Sequence, residues 1–114
     1  MKFKHKYGAK PCAYKDKKFP SKLERDCYIM LKEMEKQGKV LFTLTQVGID
    51  LPGGFRHFVD FLVFTPTNAL FIEAKGRDLS TGRIKRLTAS ELLNIEIYVA
   101  KKPMDIPQII EKNT

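Results

Sequence analysis

The stretch that most limits how this chain can fold runs from Arg56 to Lys75. Two runs, Arg-His-Phe-Val-Asp-Phe-Leu-Val-Phe and Ala-Leu-Phe-Ile-Glu-Ala-Lys, flank the segment Thr-Pro-Thr-Asn. Aromatic and β-branched residues fill both, and the Pro/Asn punctuation between them marks a hairpin turn. Each run also carries charge inside its apolar segment, Asp60 in the first and Glu73 and Lys75 in the second. Side chains alternate along a strand, so Glu73 and Lys75 share a face. If the loop is Pro66-Thr67 or Thr65 to Asn68, Asp60 falls directly opposite Glu73; a three-residue loop would flip one strand and destroy the arrangement. Facing carboxylates repel unless positive charge lies between them. Lys75 supplies part of that charge, and a divalent cation would supply the rest.

With 114 residues, 43% of them hydrophobic, the chain suits one domain with a modest core. We divide it into a basic arm over 1–20 and a single domain over 21–114. The arm holds seven lysines interleaved with Phe3, Tyr7, Tyr14 and Phe19, the pairing of charge and rings that phosphate contact and base stacking use. Lys and Arg exceed Asp and Glu by 21 to 13, a formal charge of +8. That excess points to a polyanionic partner, nucleic acid first and an acidic membrane surface second. No apolar run approaches the ~20 residues that span a bilayer. The basic start, Met1-Lys-Phe-Lys-His-Lys-Tyr7, lacks the apolar stretch of a signal peptide, so a cytoplasmic protein is expected. Cys12 and Cys27, with His5 and His57, have no metal-ligand spacing, which argues against structural zinc.

Ser21 to Gln37 reads as the first helix, with Ser21 as N-cap, Gly38 at its end and a stripe of Leu23, Cys27, Met30, Leu31 and Met34. Glu24 borders that stripe and can point along the helix–sheet seam; it also completes the capping-box pattern Ser21-Lys-Leu-Glu24. Val40 to Leu51 reads as a strand closed by Leu51-Pro-Gly-Gly54, with Gln46 able to face the site or solvent. Both parities of the central hairpin are apolar, Phe58, Leu62 and Phe64 included, so the sheet is expected to be covered on both faces. Arg56 shares the parity of Asp60; His57 points the other way and reads as structural. A second helix from Ser80 or Thr81 to about Asn94 would turn Ile84, Leu87 and Leu92 to the sheet, with Arg83 and Arg86 on one flank and Lys85 nearer the other. Ile95 to Ala100 completes a strand–helix–strand unit, expected to be parallel to the Glu73 strand, and Asp105 to Lys112 a short last helix.

Asp60 followed by Glu73-Ala74-Lys75 resembles the signature of the PD-(D/E)XK nuclease superfamily, with Val59 where that signature has proline. The helix–three strands–helix–strand order is similar to that superfamily's restriction-endonuclease-like core, an α/β fold with a mixed four- to five-stranded sheet. Tyr7-Gly-Ala-Lys10, the Ser-x-Leu-Glu helix start and the Glu-x-Lys-Gly segment most resemble phage-type Holliday junction resolvases of the endonuclease I kind. The resemblance implies a Mg²⁺- or Mn²⁺-dependent endonuclease acting on branched DNA. In it Asp60, Glu73, Glu24 and the Ala74 carbonyl would hold metal, and Lys75 would assist the attacking water. DNA contacts are expected from Lys10, Ser21, Arg25, Gln46 and Arg56, and downstream from Arg77, Arg83, Lys85 and Arg86. A resolvase cuts two strands, so a homodimer is expected. The alternatives are a non-catalytic nucleic-acid-binding protein on the same fold, or a subunit of a transposition or recombination complex.

Overall fold

The computed structural model describes residues 12–114. The expected DNA contact at Lys10 lies outside them. A short hairpin comes first, β1 (Cys12–Tyr14) against β2 (Lys17–Phe19). It is anchored by Phe19, which is buried and packs its ring 5.0 Å from that of Tyr28.

Helix α1 (Lys22–Lys36) starts where Ser21 accepts a hydrogen bond from the Glu24 amide at 3.1 Å. Its stripe of Cys27, Leu31 and Met34 is buried as the helical spacing predicts. The sheet follows: β3 (Phe42–Leu51), β4 (Phe55–Phe64), β5 (Ala69–Ala74) and β6 (Ile97–Ala100), in that spatial order. The first three are antiparallel, and β6 runs parallel to β5 after helix α2 (Ser80–Leu93). Helix α3 (Asp105–Lys112) closes the described chain. The architecture is α/β, a mixed four-stranded sheet flanked by helices.

The turn between β4 and β5 is the four-residue Thr65–Asn68, with the Thr65 amide donating to the Asn68 carbonyl at 2.8 Å. It sets the pairing Phe61↔Ile72, the register in which Asp60 and Glu73 would come next. The ladder stops at Phe61↔Ile72, and past it β5 separates from β4. The β3–β4 pairing carries on to Leu51↔Phe55 at the turn Pro52–Gly54.

Two cores lie on the two faces. Phe61, Val63, Leu70, Ile72 and Ala74 pack with Cys27 and Leu31 of α1 and with Ile106 and Ile110 of α3. Each large apolar side chain buried there contributes about 1.5–3 kcal/mol. Val59, Ile49, Leu51 and Ile97 pack on the other face with Ala89 of α2. Helix α2 differs from its expected orientation. Ile84, Leu87 and Leu92 are exposed, and Arg86 and Ala89 are the residues buried. A buried arginine pairs with a carboxylate inside the fold, and Arg86 finds two. The sheet is also less covered than its apolar parities suggest, since Phe42, Leu44 and Phe58 are exposed.

Candidate functional site

Val59 and Phe61 are two residues apart on one strand yet belong to opposite cores. Regular alternation would put them on one face, so the strand turns over at Asp60. Its cross-strand neighbour in the register is Gln46, skipped in the ladder between Thr45↔Phe61 and Val47↔Val59. Gln46 has φ of 53°, left-handed backbone that a non-glycine residue adopts at a cost of about 1–3 kcal/mol. The paired inversion is what builds the site.

From that position the Gln46 side-chain amide reaches two carboxylates. Its nitrogen donates to Glu24 Oε2 at 2.8 Å and to Asp60 Oδ1 at 3.2 Å. The second Asp60 oxygen accepts from the Ala74 amide at 2.9 Å, in the gap where β5 leaves β4. Glu24 and Asp60 are both buried, at 4% and 2% exposure. The Glu24 carboxylate is therefore not confined to its own helix: Ser21 caps the Glu24 amide while the carboxylate reaches across to β3. The Cys27 thiol beneath them is pushed up to about 12, by burial first and then by the negative charge of Asp60, Asp26 and Glu24.

Glu73 is placed differently. Its neighbours Ile72 and Ala74 point into the α1–α3 core, so alternation turns Glu73 toward α2. There its carboxylate, fully buried, lies 2.6 Å from His57 Nε2 and 3.9 Å from an Arg86 nitrogen. Arg86 is in turn held by both oxygens of Asp78, at 2.9 and 2.6 Å. That pairing keeps the Asp78 carboxyl below its ordinary range. The expected arrangement, Glu73 across from Asp60 with a cation between, is thus not the one found. The register is the expected one, but the turnover at Asp60 sends the two acids to opposite faces of the sheet, so the facing pair that the nuclease-like signature implies is not formed. Among the described residues, no three His, Cys, Asp or Glu side chains come together to hold one ion.

A cleft of about 230 Å³ opens beside the buried pair of His57 and Glu73, lined by Arg56, His57, Phe58, Lys75, Arg77 and Lys85, with Asp78 and the start of α2. Four of the expected DNA-facing or catalytic cations, Arg56, Lys75, Arg77 and Lys85, therefore share one concavity. Arg83 stays outside it, exposed and close to Asp78, and Arg86 is turned inward. Arg25 pairs with Asp26 at 3.1 Å on α1, and Ser21 is engaged as the cap. His57, expected to be structural, is buried against Glu73. The signal for this was its offset from Asp60, which put it on the face that Glu73 proves to share.

Compared with protein families, characterised proteins and solved structures, the chain matches none.

Proposed function

We propose that this protein is a divalent-metal-dependent DNA endonuclease on a restriction-endonuclease-like core, acting on branched DNA of the Holliday-junction kind. One observation carries the reading. Two buried carboxylates from different elements, Glu24 and Asp60, converge on a single amide nitrogen at the fork between β4 and β5. Two acids in that relation repel unless a donor or a cation sits between them. Mg²⁺ is held in many sites by one or two carboxylates, with water and phosphate oxygens completing its shell. Glu24 and Asp60 fit that requirement, with the Ala74 backbone beside them; Glu73, engaged by His57 and Arg86, does not join the set. When bound, such an ion would polarise the phosphodiester and lower the pKa of a water.

The chain's own groups supply the remainder. Lys75, Arg56, Arg77 and Lys85 line one cleft and provide charge for a phosphate backbone. The net charge of +8 draws DNA in at low ionic strength, so binding weakens steeply with salt. Cutting both strands of a junction calls for a homodimer. The test is a panel of four-way, nicked and linear duplex DNA incubated with Mg²⁺, with Mn²⁺ and with chelator. Cleavage that needs metal and favours the junction supports the proposal; an intact panel under every condition removes it.

The engagement of Glu73 favours one second reading. A buried Glu73–His57–Arg86 group is what a structural ion pair looks like, and a non-catalytic nucleic-acid-binding protein would need nothing more. Binding indifferent to Mg²⁺, without cleavage, would select it.

A further inference from the structure

Past the last β4–β5 pair, Phe61↔Ile72, the β3–β4 hairpin runs on with no third strand beside it among the described residues. One of its exposed residues is Phe58, at 51% exposure, where a core strand would bury it. The guanidinium of Arg56 sits over its ring, 5.9 Å from the centroid, and is itself held by Asp50 at 2.7 Å. Opposite Phe58 stands Gly48. A Cβ there would come within 3.1 Å of Arg56 Cδ and 3.3 Å of Phe58 Cε1, so the bare glycine is what lets the pair lie across the strand. Arg56 and Phe58 then form one wall of the basic cleft completed by Lys75, Arg77 and Lys85.

An exposed ring beside clustered cations matches the two needs of a single nucleic-acid strand. The ring stacks on a base whose face is free, and the cations take the flanking phosphates. A paired duplex offers the phosphates and keeps its base faces hidden. We propose that Phe58, steadied by Arg56, stacks on an unpaired or unstacked nucleobase while Lys75, Arg77 and Lys85 bind the adjoining phosphates. This rests on the reading of DNA as the ligand and adds which feature of DNA is recognised.

The test is equilibrium binding in chelator, where no cleavage occurs, to two DNAs of equal length. One is a perfect duplex and the other carries 2-aminopurine in a single-stranded gap. Wild type is expected to bind the gapped DNA more tightly and to quench the aminopurine. Phe58→Ala should weaken gapped binding about 5- to 100-fold, abolish the quench and leave duplex affinity unchanged. Phe58→Tyr should restore both. Gly48→Ala, which crowds the ring from behind, should weaken gapped binding in the same direction. Equal affinity of wild type and Phe58→Ala for gapped DNA, with duplex binding intact, overturns this inference and leaves the proposed function standing. Failure to bind either DNA, in chelator and in Ca²⁺ alike, overturns both. If Phe58→Ala instead turns a dimer into a monomer on sizing without altering affinity per chain, the ring belongs to a subunit contact and the inference falls.

Discussion

Gln46 is where local strain and chemistry meet. Its left-handed backbone costs about 1–3 kcal/mol, and its amide nitrogen is shared by two buried carboxylates. Removing the side chain in two ways separates the terms. Gln46→Ala should lower stability by about 1–3 kcal/mol, because it strips a donor from buried acids and keeps the strain. Gln46→Gly should be milder than Gln46→Ala by about 1 kcal/mol, since glycine adopts φ of 53° freely. Urea unfolding of the two variants checks the order; Gln46→Gly as the less stable would deny the strain. Cys27 makes the second residue-scale prediction. Its thiol is held near 12 in the fold, against 9.0 as its ordinary value. The unfolded chain thus loses a proton between these values that the native chain keeps. Stability from this group is whole below pH 9 and is lost as pH rises toward 12. At pH 8 native Cys27 should resist iodoacetamide and react only after unfolding, as peptide mass spectrometry would show. From sequence, Glu24 could be placed on the seam toward Asp60, while Gln46 stayed open between site and solvent. The sequence could not reveal that Glu73 turns away from Asp60, because alternation was applied to a strand that inverts at Asp60.

Among the elements, α2 departs furthest from its sequence pattern. Ile84, Leu87 and Leu92 looked like a buried stripe, yet the helix docks through Arg86 and Ala89. Periodicity weighs apolar residues and has no means of seeing a carboxylate waiting in the sheet. The Arg86 guanidinium is raised above its ordinary pKa chiefly by its hydrogen bonds to Asp78, which also bring it beside Glu73. Arg86→Ala should therefore cost about 1–3 kcal/mol, by leaving the buried Glu73 with His57 alone and the half-buried Asp78 without its partner. Arg83→Ala, on the exposed flank, should cost less than about 1 kcal/mol. Thermal unfolding of both compares them directly, and equal losses would mean that the buried network does not fasten the helix. Other elements were plain in the sequence. The cap at Ser21 and the parallel strand after α2 follow from local chemistry and from the handedness of crossover connections. The turn, by contrast, stayed open between two residues and the four that form it.

At the scale of the whole molecule, charge and topology act together. The basic residues Arg56, Lys75, Arg77 and Lys85, spread along the sequence, come together in one cleft. The hairpin of β3 and β4 runs on past the fork where its pairing with β5 ends. A one-residue change of the turn at Thr65–Asn68 would turn one strand over and disperse the site. The central claim is that the Glu24–Asp60 pair at this fork serves metal-dependent cleavage of DNA. It is tested most directly by the initial rate at which wild type and Asp60→Ala cut a four-way junction in Mg²⁺, with folding verified by circular dichroism. The account predicts cutting by wild type and none above background by a folded Asp60→Ala. A folded Asp60→Ala protein that cuts as fast as wild type would contradict it.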